Sequence, residues 1–180
     1  MSDANRKLQT LLNQSCWVDA VCDCNDVAVK RVALYMCATS VLPYWESRFH
    51  NDESMARVVD CMSTVVKSPS TEHEMELCAV IPKRVRRHWD LSPAPGFPEL
   101  NYSDCPADFA GDSIFYAAHA FVNEAMHDSD EKSSFDTAIE CVARILVERD
   151  GNHDDNTDYH LLASNHLRNT ILNAMAKSAR

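Results

Sequence analysis

Apolar residues recur every three or four positions along most of this chain, which is the spacing of one face of an α-helix. The clearest run follows Asp26 and consists of Val29, Val32, Ala33, Met36, Cys37 and Val41. A second run begins at Met55, and a weaker one over residues 4–21 predicts an opening helix. Three more runs mark the C-terminal half, over residues 115–126, 135–146 and 163–174. The pattern therefore predicts helices over most of the sequence.

Proline and capping residues predict where these helices begin and end. Pro43 has no backbone N–H and disfavours helical geometry in the residue before it, so the helix after Asp26 is expected to end or kink there. Asn51 or Asp52 is suited to cap the next helix. Thr71 with Glu74 fits the capping box of a further helix.

Glycine is rare, with three residues in 180. Sheet proteins use glycine in their turns, so this scarcity favours helices joined by short connections. We expect one all-α domain over residues 1–180, a bundle of about six to eight antiparallel helices without a sizeable sheet. The one long irregular segment is a proline-rich surface loop at about 91–111.

Cysteine usage and hydropathy favour a cytoplasmic protein. The eight cysteines include no C-x-x-C pair, and several replace small apolar residues on helix faces. They indicate reduced packing residues and not a disulfide framework or a zinc site. The N-terminus lacks the apolar run of a signal peptide, and no run approaches the roughly 20 residues that span a bilayer.

Charge is unevenly distributed along the chain. The formal net charge is −10, and residues 91–180 carry 15 acidic against 6 basic side chains. No Lys or Arg occurs between His88 and Glu131. An acidic surface of this kind repels nucleic acid and attracts basic proteins. The basic segment KRVRRHW, residues 83–89, is expected to pair internally with this acidic half.

Histidines and carboxylates are the side chains most able to carry chemistry here. A metal could bind the cluster His153, Asp154, Asp155, Asp158 and His160, but its spacing matches no established metal motif. A solvated turn in which Asp158 caps the last helix explains the same residues. His119 and His160 share stripes with apolar residues and are interpreted as core histidines. No glycine-flanked nucleophile or phosphate-binding loop occurs, so we expect neither catalysis nor a cofactor.

The segment VLPYWESRFHNDESMAR, residues 41–57, lies between the first two strong helices. Tyr44 and Trp45 follow Pro43 directly, and large aromatic rings fill the angle between two helices well. Glu46 could accept hydrogen bonds from the next helix or pair with an arginine. We interpret Pro43, Trp45, Glu46 and Asp52 as a structural corner.

The longer run from Leu34 to Val66, which contains this segment, resembles the all-α immunity proteins of bacterial polymorphic-toxin systems, in particular the immunity family numbered five. Leu42-Pro43, Trp45-Glu46 and Asn51-Asp52 stand where that family has a leucine-proline pair, an aromatic-glutamate pair and a charged turn. Residues 116–125 and 159–175 resemble its alanine- and histidine-bearing C-terminal helices. Residues 53–57 depart from the arginine-proline-arginine that usually follows the turn.

The resemblance implies a cytoplasmic antidote that binds one cognate protein toxin and neutralises it by occlusion. Many such toxins are nucleases with basic clefts, so the contact surface is expected on the segment without Lys or Arg. Its candidate residues are Phe97, Tyr102, Asp104, Asp108, Asp112, Glu124, Asp128, Asp130 and Glu131. Two alternatives remain open: a metal-dependent enzyme using His119, Asp158 and His160, and a non-catalytic helical scaffold. Neither nucleic acid nor a membrane is expected as a partner.

Overall fold

A computed structural model of the chain describes residues 2–81, 106–122, 128–150 and 158–178. These residues form eight α-helices, and no strand occurs among them. The helices are α1 (Asp3–Leu12), α2 (Trp17–Cys22), α3 (Val27–Arg48), α4 (Ser54–Lys67), α5 (Thr71–Val80), α6 (Pro106–Val122), α7 (Asp128–Asp150) and α8 (Tyr159–Ser178). The all-α prediction is confirmed.

Short polar side chains cap several of these helices. Ser2, Asp26, Ser70 and Asp158 each accept a hydrogen bond from a backbone N–H in the first turn that follows. Such a bond satisfies a donor that has no partner inside the helix. The cap predicted at Asp158 is confirmed, whereas α5 is capped by Ser70, one residue before the predicted Thr71.

The opening segment forms two helices and not the single one predicted over residues 4–21. Leu8 and Leu12 of α1 are buried, and so are Trp17 and Val21 of α2. The step from Leu12 to Trp17 is five residues, which one continuous helix would turn away from the shared face. The break lets both pairs reach the core, where the Trp17 indole donates to Ser164 of α8 at 3.0 Å.

Helix α3 lies at the centre of the bundle and contacts α1, α2, α4, α6, α7 and α8. It does not end at Pro43 but continues to Arg48, so the predicted end is wrong. Pro43 and Thr39 are both exposed, so water can pair with the Thr39 carbonyl that loses its helical partner. Val41 and Trp45, on either side of the proline, are buried and hold the two halves in the core.

One hydrophobic cluster receives side chains from every described helix. Helix α6 packs most extensively, against α7 and α3, and its inner face combines small residues such as Ala110, Gly111 and Ala117 with Ile114 and Phe121. The loop predicted at about 91–111 is shorter at its C-terminal end, because α6 already begins at Pro106. Proline suits the first helical position, where its missing N–H would have no partner anyway.

None of the helices in the described ranges is both long enough and apolar enough to cross a membrane.

Candidate functional site

The segment between α3 and α4 forms a packed corner. The Trp45 ring is buried against Gly111 of α6, and the centroid of the Phe49 ring lies 4.3 Å from its own. The Trp45 Nε1 donates to the backbone oxygen of Asp52 at 3.5 Å. The Asp52 carboxylate accepts from the Ser54 N–H at 2.9 Å, where α4 begins. These contacts give the aromatic side of the corner a structural role.

Glu46 lies on the solvent side of this corner, and so does Pro43. The first N–H of α4 is already taken by Asp52. Within the described ranges Glu46 forms no hydrogen bond or ion pair, so neither of the roles predicted for it is observed there. Its carboxylate therefore adds to the negative charge of the surface.

The structure describes only part of the predicted acidic surface. The candidates outside the described residues are Phe97, Tyr102, Asp104 and Glu124, and Asp128 begins α7 without a described side chain. Asp108 and Asp112 lie one turn apart on α6, and Asp130 lies in the first turn of α7. All three side chains are half-buried. The described candidates thus belong to two helices that pack against each other.

Glu131 is held inside the bundle by a cation. Its carboxylate forms an ion pair with Lys30 of α3 at 2.8 Å, and each side chain is 17% exposed. An ion pair that is mostly removed from water is costly to break, since the remaining charge is left without a partner. Contact between Glu131 and another protein would have to compete with this pair.

A more exposed acidic region lies on α5, which the sequence analysis did not single out. Met75 is the most exposed large hydrophobic residue in the described ranges, at 68%. Cys78 and Ala79 lie three and four positions further on and are also exposed, and we call these three residues the α5 strip. Glu72 and Glu76 are exposed beside the strip. The signal was available, because a helical projection places Met75 opposite the buried Leu77.

Arg31 links three helices at the opposite side of α5. Its guanidinium pairs with Glu74 at 2.7 Å and donates to the backbone oxygen of Phe121 at 3.1 Å. The guanidinium carbon also lies 5.9 Å from the centroid of the Phe121 ring. Phe121 lies in the last turn of α6, where a cation is favoured by the helix dipole.

His160 does not lie in the core, and that prediction is wrong. Its side chain is 68% exposed and its Nε2 lies 3.2 Å from Glu140 of α7. His160 was assigned to the same helix face as Ala163, but burial on that face begins at Ala163. The first turn of a helix at the end of a bundle extends beyond its neighbours, so apolar periodicity there overstates burial. Glu140 also accepts from Arg144 at 2.6 Å.

The described ranges hold no group of three His, Cys, Asp or Glu side chains able to bind a metal. His153, Asp154 and Asp155 of the predicted alternative lie outside those ranges. His119 is half-buried on α6, where its ring lies 4.3 Å from that of Phe115.

The described cysteines are free thiols with different exposure. They are Cys16, Cys22, Cys24, Cys37, Cys61, Cys78 and Cys141. Burial raises the pKa of the Cys37 thiol to about 12 and that of Cys22 to about 11. A raised pKa leaves less of the reactive thiolate at neutral pH. The buried cysteines are therefore packing residues, whereas Cys16 and Cys78 lie on the surface.

Comparison of the chain with protein-family models, with curated proteins and with solved structures finds no match.

Proposed function

We propose that this chain is an immunity protein that binds a cognate bacterial toxin and blocks the surface through which the toxin acts. The observation that carries the proposal is the excess of acids on the described surface, where eleven Asp or Glu side chains are exposed against eight Lys or Arg. Lys30 and Arg31, only 17% and 14% exposed, pair with acids of the chain itself. Acidic side chains stand exposed on several helices, at Glu46, Asp60, Glu72, Glu76, Asp136 and Glu148.

Neutralisation by occlusion makes modest chemical demands. It requires a surface that keeps its shape and complements the toxin, and no reacting group. Helices that share one hydrophobic cluster and have capped ends supply a scaffold of that kind. The resemblance of residues 42–52 to an immunity family is a second, independent support.

The net charge of −10 favours a basic protein as the partner. Complementary potentials can raise association rates to about 10⁸–10⁹ M⁻¹s⁻¹ at low salt. A toxin that cleaves nucleic acid has a basic cleft for phosphates, and an acidic helical surface imitates that substrate. Under this proposal the chain acts in the cytoplasm, where such a toxin would otherwise reach its target.

Co-expression tests the proposal directly. The protein encoded immediately upstream of this gene is produced from an inducible promoter in a bacterial host, with and without this chain. We expect the upstream protein to stop growth when alone, and growth to return when both are present. An inactivated form of the upstream protein should co-elute with this chain as a stable complex.

The electrostatic part of the proposal has its own measurement. The association rate of the complex should fall steeply as salt is raised from 50 to 500 mM, whereas the dissociation rate should change little. Growth arrest that this chain does not relieve, together with separate elution of the two proteins, would contradict the proposed function.

A further inference from the structure

Helix α5 carries apolar residues on two opposite sides. Leu77 faces inward and is fully buried, and it is the one buried residue of the helix. Met75 precedes Leu77 by two positions, about 200° around the helix, and is 68% exposed. Cys78 and Ala79 extend this outer side by one turn. The α5 strip is therefore a continuous apolar surface on the side away from the core.

The strip is a face without a partner among the described residues. Helix α5 contacts α4 and α6, and its inner side also receives Arg31 through Glu74. A helix that is apolar on opposite sides is normally covered on both. Methionine is also the side chain best adapted to fill an irregular pocket on another protein, since it is unbranched and flexible.

Acidic side chains border the strip on one edge. Glu72 and Glu76 lie one turn apart along that edge, and both are exposed. Asp60 of the neighbouring helix α4 is exposed as well. Cys61 of α4 lies within electrostatic reach of Glu76, Asp60 and Arg57, so two acids and one exposed cation lie where α5 meets α4.

We propose that the outer face of α5 is the surface that docks the basic protein partner, with Met75 as the apolar anchor and Glu72 and Glu76 as the charged edge. This inference rests on the proposed function and names the contact surface within it. Contact surfaces of this type place an apolar centre inside a polar rim. The charge of the edge selects a partner rich in Lys and Arg.

A second copy of this chain fits the face poorly. An antiparallel pair of α5 helices packed along the strip would bring the Glu72 and Glu76 edges of both copies together. Like charges at that distance repel each other. A basic partner converts the same edge into an attractive contact.

Thiol footprinting locates the contact in the assembled complex. Cys78 lies in the strip, and Cys16 is a second exposed thiol, between α1 and α2. The complex with the inactivated upstream protein is treated with a maleimide, and modification of each cysteine is followed by mass spectrometry. We expect the rate at Cys78 to fall by about tenfold or more on complex formation, while the rate at Cys16 stays unchanged.

Matched variants measure what the face contributes. Met75→Ser should weaken the complex by about 10- to 30-fold, the loss typical of a central anchor. Leu161→Ser, which alters another exposed hydrophobic residue at 58%, should leave the affinity unchanged.

Glu72→Lys/Glu76→Lys should slow association by about tenfold or more, and the equally charged Asp136→Lys/Glu148→Lys on α7 should slow it less. Thermal melts establish that each variant is folded, and Glu72→Gln/Glu76→Gln replaces the lysine pair if that one is not.

The outcomes separate this inference from the proposed function. If the wild-type chain relieves the growth arrest and Cys78 stays as reactive as in the free chain, the α5 face is wrong and the proposed function stands. If the wild-type chain gives neither relief nor a complex, both are overturned. The wild-type chain could instead form a homodimer that the Met75→Ser variant does not form. That result would overturn the proposal of a basic partner, since the strip would then bind a second copy.

Discussion

Position 111 shows how strictly one residue is determined by its neighbour. A Cβ atom placed on Gly111 would lie 2.6 Å from Cζ3 of Trp45 and 2.8 Å from its Cε3. Carbon atoms do not approach so closely, and the Trp45 ring is buried between helices with little freedom to move. Glycine therefore lets α3 and α6 pack face to face at this level.

We predict that Gly111→Ala lowers the free energy of unfolding by about 1–3 kcal/mol, measured by urea denaturation. Alanine is the better helix former by up to about 1 kcal/mol, so the clash must outweigh that gain. The control is the same substitution in a Trp45→Leu background, where the smaller side chain leaves room. There Gly111→Ala should be neutral or stabilising, and an equal loss in both backgrounds would contradict the packing explanation.

Ser113 and Ser134 form a reciprocal pair between α6 and α7. Ser113 Oγ donates to the backbone oxygen of Ser134 at 2.8 Å, and Ser134 Oγ donates to that of Ser113 at 3.0 Å. Both residues are fully buried. Each buried hydroxyl thus has a hydrogen-bond acceptor, and the small serine side chains let the two helix backbones lie close together.

Removing one hydroxyl of this pair should cost about one buried hydrogen bond. We predict that Ser113→Ala lowers the free energy of unfolding by about 0.5–1.5 kcal/mol. Ser40→Ala is the matched control, because the bond of Ser40 Oγ within the described ranges is to the Met36 carbonyl of its own helix. That variant should change stability by less than about 0.5 kcal/mol in a chemical denaturation series. Equal losses at the two sites would refute a special role for the pair.

At the scale of elements, the Arg31 bridge ties α5, which buries one residue, to α3 and α6. The Arg31 side chain is 14% exposed and the Glu74 side chain 34%, so the pair is only partly screened by water. Its second bond to the Phe121 carbonyl fixes the end of α6. Helix α5, with one buried residue, depends on such polar contacts for its position.

A double-mutant cycle measures this dependence. We predict a coupling of about 1–2 kcal/mol between Arg31→Met and Glu74→Gln, below most of the roughly 1.5–3 kcal/mol range of hydrogen bonds to charged groups because water partly screens the pair. The comparison pair is Lys132 with Asp19, which are 3.5 Å apart and more than half exposed. Its coupling should not exceed about 0.5 kcal/mol, since solvent screens exposed pairs. A bridge coupling no larger than that of Lys132 and Asp19 would show that α5 is held by packing alone.

The elements themselves were mostly predictable, because helix faces appear in the sequence as apolar periodicity. The run from Val29 to Val41 predicted the buried face of α3. The continuation of α3 past Pro43 was not predictable, since it depends on whether solvent reaches the Thr39 carbonyl and whether Trp45 has a place in the core. The same holds for the break between Leu12 and Trp17, which three-dimensional packing decides.

At the scale of the whole molecule, the candidate surface was less predictable than the core. Counting charges along the chain identified an acidic half, but it treated Glu131 as available for a partner. The Lys30 that pairs with it is 101 positions earlier in the sequence. Periodicity likewise assigned His160 to the core, whereas Glu140 holds it at the surface. Contacts between residues far apart in sequence decide which charges remain exposed.

Two buried thiols report whether the bundle unfolds as one unit. Cys37 of α3 and Cys141 of α7 are both fully buried, and burial raises the pKa of Cys37 to about 12. A thiol reagent should reach either of them only in molecules that have opened. For ordinary stabilities we expect both to react at least about 1,000-fold more slowly than the exposed Cys16.

The decisive quantity is the ratio of the two slow rates, followed by mass spectrometry at pH 8. Both cysteines lie in the one cluster to which every described helix contributes, so opening that exposes one should expose the other. Their thiols are equally reactive once unfolded, and the rates should therefore agree within about twofold and rise together in urea. Rates that differ by more than tenfold would mean that α3 and α7 open separately. The prediction of one domain over residues 1–180 would then fail, however continuous the core is in the native state.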